Sequence, residues 1–224
     1  MERILQATAD GSQTIAIPGM EVTYHSRHGA IRESMHVFIG AGLNAVVLPR
    51  EEEMRILEMG FGTGLNALLT LAAAEGRPVW YEAIEKFPLP GVLTAALEYG
   101  TQLQQPEADE QLQQMHAAPW NEPFRVTSAF TLTKHHCSME DFQSGHRFHL
   151  VYFDAFAPAA QPELWTVAVF QKLYGLMEEN GLLVTYCSKG VVRRAMQEAG
   201  FRVEKIPGPP GKREMVRAHK TNVG

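Results

Sequence analysis

The stretch Met54-Arg55-Ile56-Leu57-Glu58-Met59-Gly60-Phe61-Gly62-Thr63-Gly64-Leu65-Asn66-Ala67-Leu68-Leu69-Thr70-Leu71-Ala72-Ala73-Ala74 changes period halfway along. Met54 to Met59 is a short apolar run that closes on a glutamate, the pattern of a buried strand. Leu65 to Ala74 is made almost wholly of strong helix formers. Between the two, glycine stands at positions 60, 62 and 64. A strand that passes straight into a helix through alternate glycines needs a backbone that can approach a ligand closely, and only glycine leaves that room. The spacing is informative. A dinucleotide turn asks for Gly-x-Gly-x-x-Gly, whereas here the third glycine comes one residue early and Leu65 stands in its place. A nicotinamide or flavin site, or a plain tight turn, stays open on these residues alone.

Downstream, Val79 to Glu85 reads as a second strand ending in an acid. Glu85 lies twenty-one residues after Gly64, the place from which a carboxylate accepts both ribose hydroxyls in doubly wound folds. Pro88 to Tyr99 reads as a helix, and the Gln-rich, acidic stretch Gln102 to Gln114 as a solvated helical insertion. Phe124 to Thr133 suggests a third strand, with Glu140 and Asp141 just beyond it. In Phe148 to Asp154 the run Leu150-Val151-Tyr152-Phe153 is continuously apolar, as in a strand covered on both faces. A helix over Val167 to Met177, a strand over Gly181 to Cys187 and a helix over Val191 to Ala199 follow. Phe201 to Ile206 and Glu214 to Ala218 form a closing antiparallel hairpin around Pro207-Gly208-Pro209-Pro210-Gly211. Upstream, Gln13 to Ile17 and Glu21 to Tyr24 are β-like patches separated by Pro18-Gly19, and Ile31, Met35 and Phe38 recur at helical spacing. The alternation predicts an α/β, doubly wound, mostly parallel sheet with a C-terminal antiparallel hairpin. Residues 51–224 would form the core, and residues 1–50 a compact polar flap packed on it. Glu58, Glu85 and Asp154, each at the carboxyl end of a strand, should converge on one crevice.

With 224 residues and 45% hydrophobic content, the sequence suffices for one such unit with a substantial core. A formal charge of −5 argues against a protein that coats nucleic acid non-specifically. The charge is uneven, however. From Cys187 onward nine Lys or Arg stand against three Glu, a balance of +6 that leaves about −11 for the first 186 residues. Any polyanion is therefore expected to meet the C-terminal part. Cys137 and Cys187 lie fifty residues apart, without Cys-x-x-Cys spacing or paired histidines, so neither a metal site nor a disulfide is expected, and a reducing cytoplasm is the natural setting. Glu2, Arg3 and Asp10 interrupt the start, which lacks the pattern of a signal peptide. Nowhere do eighteen apolar residues follow one another, and no membrane span is expected.

An acid followed by Gly-x-Gly-x-Gly resembles the first motif of class I methyltransferases. The resemblance implies a Rossmann-like fold and S-adenosyl-L-methionine (S-adenosylmethionine) as cofactor, with Glu58, Gly60, Gly62, Gly64 and Glu85 around it. Glu140 and Asp141 stand where such enzymes contact adenine, and the residues leave the choice between them open. Asp154-Ala155-Phe156-Ala157-Pro158 resembles the D/N-P-P-F/Y segment of methyltransferases acting on nitrogen, with Ala-Phe-Ala-Pro in place of the usual residues. Methyl transfer needs a lone pair aligned about 3 Å from the sulfonium carbon. An amine substrate is protonated at neutral pH, so a carboxylate can draw it in as ammonium and accept its proton. Asp154 is the catalytic candidate, with Phe156 beside it. Phe156 and Trp165 are candidates to stack on a planar base. Each has a plainer reading: a solvated strand end for Glu85, a turn cap for Asp154, core or lid packing for the aromatics.

Taken together, several segments resemble the methyltransferase part of MnmC, the bacterial enzyme that completes 5-methylaminomethyl-2-thiouridine at the tRNA wobble position. They are Tyr24-His25-Ser26 with Glu33-Ser34 and Val37-Phe38, then Glu58 through Asn66, Ile84-Glu85-Lys86-Phe87-Pro88 and Phe153 through Trp165. Val192-Arg193-Arg194, Ala199-Gly200-Phe201 and Gly211-Lys212-Arg213-Glu214-Met215 complete the set. They span nearly the whole sequence in the family's order, and the Gly-Phe-Gly-Thr-Gly-Leu-Asn and Lys-Arg-Glu-Met strings are specific. The resemblance implies methylation of the aminomethyl nitrogen of the modified uridine, with Asp154 near that amine. Two-function members carry a flavin-dependent oxidase after the methyltransferase, and this sequence stops at Gly224, so a separate enzyme is expected to supply the aminomethyl group. Ala30-Ile31-Arg32 and Cys187-Ser188-Lys189-Gly190 depart from the family's usual Gly-Leu and Thr-Ser-Ala-Gly turns, which bears on substrate loops more than on chemistry.

The basic C-terminal residues then gain a use. Lys189, Arg193, Arg194, Lys212 and Arg213 are candidates to meet the tRNA backbone around the anticodon, positioning it without reading it. Solvated charges on an exposed helix and an edge hairpin are the plainer reading. A small-molecule or protein N-methyltransferase, and a non-catalytic RNA-binding module on the same fold, remain the alternatives.

Overall fold

A strand built from Leu150 to Phe153 has no polar face, so it needs cover on both sides. The computed structural model, which describes residues 2–221, supplies that cover. Along the chain, β1 (Ile4–Ala7), β2 (Gln13–Ile17) and β3 (Val22–Thr23) pair in a small antiparallel sheet, and α1 (Ala30–Ser34) runs on into a π-helical turn over Met35–Gly40. Next come β4 (Met54–Met59), α2 (Leu65–Ala73), β5 (Val79–Ile84) and two short helical turns, α3 (Gly91–Thr94) and α4 (Gly100–Leu103). Then follow α5 (Glu107–Ala117), β6 (Pro123–Thr127), β7 (Phe130–His135), β8 (Phe148–Phe153), α6 (Val167–Leu176) and β9 (Met177–Thr185). The helix α7 (Gly190–Glu198) and the hairpin β10 (Arg202–Pro207) and β11 (Glu214–His219) close the fold.

Eight strands form the main sheet, in the order β10-β11-β9-β8-β4-β5-β7-β6. On one face Ile56, Tyr81, Leu132 and Tyr152 pack with Leu68 of α2 and with Leu112 and Met115 of α5. On the other, Leu57, Val151, Phe153 and Leu183 meet Phe170 and Leu173 of α6 and Val192 and Met196 of α7. β4 runs parallel to both of its neighbours, with Met54 opposite Val79 and Ile56 opposite Leu150. From β4 the chain winds outward through β5 to β7, then returns to start β8 on β4's other side. Helices therefore diverge between β4 and β8 and leave a crevice beyond the carboxyl ends of those strands.

Several expectations need correction. Pro88 to Tyr99 is not one helix. Pro90 can only begin a helix, and the turn that follows unwinds because tertiary partners take the next backbone amides. Glu98 N–H donates to Gln13 Oε1 (2.7 Å), while Tyr99 and Gly100 donate to Asp109 Oδ1 (2.6 and 2.8 Å). The Gln-rich insertion is not solvated throughout: Ala108, Leu112 and Met115 lie on one buried stripe of α5. Phe124 to Thr133 is a hairpin of two strands, β7 joining the sheet parallel to β5 and β6 pairing antiparallel outside it. Upstream, β1 is an additional strand. The π-turn shifts the phase after Ser34, so Val37, Phe38 and Ile39 are buried while Met35 faces out. The N-terminal residues are not uniformly polar either, since Ile15 and Ile17 are buried there. If α5 is an integral part of the core, Leu112→Ala costs about 3 kcal/mol in urea denaturation. A cost under about 1 kcal/mol would mean that the helix is detachable.

Candidate active site

The glycine turn leaves β4 with φ of +91° at Gly60, +51° at Gly62 and +75° at Gly64, values that side-chain-bearing residues rarely adopt. Space adds to the constraint. A Cβ on Gly62 would stand 2.9 Å from the Tyr24 ring, and one on Gly64 3.0 Å from Leu112. The turn is held from three sides. His116 Nε2–H donates to the Thr63 carbonyl (2.9 Å), and Lys134 Nζ in turn donates to the His116 carbonyl (2.7 Å). Burial lowers the His116 pKa to about 4, so the ring stays neutral while it makes this bond. Gly62 N–H donates to Glu85 Oε2 (3.1 Å), and Phe87 N–H to Glu85 Oε1 (2.8 Å). Arg3 reaches over from the N-terminal layer to the carbonyls of Phe87 (2.9 Å) and Pro88 (2.8 Å).

At the base of the turn the three acids do not converge as expected. Glu58 is 1% exposed and lies behind the crevice, not in its wall. Asn66, the second residue of α2, stands between it and Asp154. Asn66 Nδ2 donates to Glu58 Oε1 and to Asp154 Oδ2, each at 2.9 Å. Burial, aided by neighbouring Asp154, raises the Glu58 pKa well above the carboxylate range, although the Asn66 hydrogen bond opposes it. Burial likewise pushes Asp154 up to about 7. Nearby Glu33 adds to that rise, and the Asn66 amide and Lys212 pull against it. The Asp154 backbone touches the turn, for a Cβ on Gly60 would lie 3.3 Å from the Asp154 carbonyl oxygen.

A cavity of about 980 Å³ opens here, lined by the turn, Glu85, Asp154, Phe156, Tyr24, His25 and Asn66. Tyr24 and Phe156 meet edge to face, with ring centroids 5.0 Å apart, and make an aromatic corner next to Asp154. Burial pushes the Tyr24 hydroxyl up to about 12, so it remains a phenol at neutral pH. Glu140 lines the cavity. Asp141 turns away and accepts from Ser138 Oγ (2.6 Å). Trp165 is a correction: it is 5% exposed, packs against Phe153 and Phe170, and donates its indole N–H to the Phe156 carbonyl (2.8 Å). It braces the loop that carries Phe156 and offers no face to a base.

The basic residues divide in the same way. Lys189, Arg194 and Arg213 are exposed, Arg193 is half-buried with its Nε donating to the Ser188 carbonyl (3.3 Å), and none of the four lines the cavity. Lys212 is not available to a backbone phosphate. Its ammonium pairs with the buried Glu33 (2.6 Å) and sits 3.8 Å from the Tyr186 ring centroid, and the Tyr186 hydroxyl donates to the Ala155 carbonyl (2.8 Å). Sequence reasoning did not single out Asn66, Tyr24 or His25 as site residues. All three lie within the strings that carry the family resemblance, which was the available signal. Among the described residues no cluster of acids, histidines or cysteines could hold a metal ion, and no helix is long and apolar enough to cross a membrane.

A family model described as S-adenosyl-L-methionine-dependent methyltransferase matches residues 106–221, from the start of α5 to the end of the described chain. The tRNA 5-methylaminomethyl-2-thiouridine biosynthesis bifunctional protein MnmC of Pseudomonas paraeruginosa is 32% identical over 86% of this chain and 31% of its own length. The protein of the same name from Burkholderia mallei is 32% identical over 96% of this chain and 35% of its own length. The chain thus spans about a third of the curated relatives it matches. Among solved structures, MNMC2 from Aquifex aeolicus superposes with a TM-score of 0.78 at 26% identity, covering 99% of this chain and 72% of that one. The spermidine synthase of Thermotoga maritima, at 14% identity and a TM-score of 0.50, shares the fold alone. The sheet has the class I methyltransferase architecture, and the chain belongs to the S-adenosyl-L-methionine-dependent methyltransferase family.

Proposed function

We propose that the chain transfers a methyl group to the aminomethyl nitrogen of 5-aminomethyluridine, or its 2-thio form, at the tRNA wobble position. One observation carries this reading: a largely buried carboxylate, Asp154, lies against the glycine turn and lines the cavity beside the Tyr24–Phe156 aromatic corner. The names of the relatives support the choice of nucleoside.

The residues present fit S-adenosylmethionine. The side-chain-free glycine turn lets a ligand approach its backbone, and each Glu85 oxygen accepts one backbone N–H and keeps a lone pair for a ribose hydroxyl. Glu140, which lines the cavity, is the candidate for adenine. Once bound, the cofactor supplies an electrophilic methyl carbon on a positively charged sulfur. The remaining work falls to this chain. Asp154 draws in the substrate as ammonium and takes one proton onto its carboxylate, which frees the nitrogen lone pair. That lone pair would be the nucleophile toward the methyl group that the bound cofactor would supply, the sulfonium sulfur being the leaving group. The product nitrogen then carries the positive charge. Tyr24 and Phe156 wall off water from the reacting nitrogen. Lys189, Arg193, Arg194 and Arg213 contact phosphates, and Lys212 keeps the hairpin seated.

Asp154→Asn should cut transfer from labelled cofactor to tRNA lacking the terminal methyl by at least about a thousandfold, with cofactor affinity within about threefold. A rate near that of the wild type removes Asp154 from the chemistry. Stability should change in the opposite sense. The folded chain keeps the Asp154 proton up to about pH 7 while the unfolded chain releases it in the ordinary aspartate range, so this site destabilises the fold as pH rises through that window. Asp154→Asn is therefore more stable than the wild type at pH 8, by a margin that shrinks toward pH 4 in thermal melts. Finally, Arg194→Ala and Arg213→Ala should each lower the salt dependence of tRNA binding by about one unit of log Kd per log salt. An unchanged slope in filter-binding titrations would place the tRNA elsewhere.

A further inference from the structure

Among the described residues, the one hydrogen bond to the Asp154 side chain comes from Asn66 Nδ2. Both protons of that amide are committed, one to Asp154 Oδ2 and one to Glu58 Oε1, each at 2.9 Å. The ionised Asp154 carboxylate only accepts, so it takes the nitrogen end of the amide. Asn66 itself is 3% exposed and cannot swing to water. We infer that Asn66 is a positioning residue for methyl transfer, its single amide nitrogen tying the Asp154 carboxylate to the buried Glu58 so that the two acids act as one unit.

The inference rests on the reading of Asp154 as acceptor of the amine's proton, and the physics of the pair supports it. Two oxygens hydrogen-bonded to one NH₂ group lie about 5 Å apart. At that distance in a water-poor interior, ionising both acids is strongly disfavoured, so above about pH 7 the pair holds one proton. The proton's place follows from the surroundings. Glu58 is fully buried, which penalises its charged form; Asn66 and the buried Tyr81 hydroxyl favour that form, while Asp154 and Glu85 oppose it, and the net effect holds its proton. Asp154 instead borders the cavity, with Lys212 favouring its ionised form. Glu33 faces it with the opposite effect, and the Tyr186 hydroxyl, pushed up by burial and by Asp154, stays protonated. Glu58 thus keeps the proton, and the negative charge stands where the substrate ammonium arrives. An aspartate at position 66 would add a third acid, and an alanine would remove the only donor the two acids share.

The test compares the wild type with Asn66→Ala and Asn66→Asp. Asp154 is titrated in cofactor-free protein by NMR of ¹³C-labelled aspartate carboxyls, assigned through Asp154→Asn. Loss of the amide donor should raise the Asp154 midpoint by about one pH unit in Asn66→Ala. The acid limb of kcat/KM for tRNA methylation should move up by the same amount, while S-adenosylmethionine affinity in calorimetry changes by less than about threefold. If the rate falls but midpoint and limb stay put, Asn66 is merely structural and the inference is overturned. If Asn66→Ala does not fold, Asn66→Asp, which keeps the shape, carries the test: its Asp154 midpoint should rise further, and an unmoved midpoint overturns the inference. Wild-type protein that shows the coupled titration yet never methylates tRNA refutes the proposed substrate and leaves the acid pair standing.

Discussion

Parallel pairing of β4 with β8 brings the glycine turn against the Asp154 backbone, and the rest of the site is arranged around that contact. Both strands are buried on both faces, so their register is tightly specified. A slip of one residue would turn Glu58 toward α6 and Phe153 toward α2, exchanging an acid for an aromatic in each packed layer. Because the chain winds away from β4 in one direction and returns on the other side, no helix covers the ends of these two strands. The crevice is thus a consequence of winding, and the residues at the strand ends inherit it.

What fills the crevice comes largely from elsewhere. The N-terminal layer contributes Tyr24, His25 and Arg3, and it is fastened to the C-terminal hairpin by several contacts, among them His36 Nε2–H donating to the Pro207 carbonyl (2.9 Å). Lys212 pairs with Glu33, and His28 packs on Gly211 so closely that a Cβ there would stand 2.6 Å from its ring. Gly211-Lys212 therefore owes its residue types to the seam between the first and last segments of the chain. The same seam lies behind Asp154 through Tyr186 and Ala155, so packing and chemistry share these residues. Buried Glu58, Asn66, Lys134 and Asp154 weaken the core that surrounds them, a cost that proteins accept at functional sites.

The sequence was legible where local pattern and global position agree. The strand, glycine turn and helix over residues 54 to 74, the apolar run before Asp154 and the closing hairpin all lie where their periods put them. It misled where long-range partners override local preference. Gln13 and Asp109 take the amides that would have continued a helix through Tyr99, and the buried stripe of α5 is diluted by glutamine and acid on its outer face. Trp165 and Lys212 show the same limit for function. A tryptophan seven residues past Pro158 and a lysine in a basic string look available in one dimension, and each is already engaged in three.

By itself, the order of residues determined the class of sheet, the cofactor turn and the acid at the end of β8, because each is set by neighbours within a few positions and by a period that burial imposes. Only the tertiary structure decided which acids share a wall, which cations remain free and which side chain joins Glu58 to Asp154. Those outcomes depend on distances between residues eight to 179 positions apart, fixed by the packing of both sheet faces and by the seam between the ends of the chain.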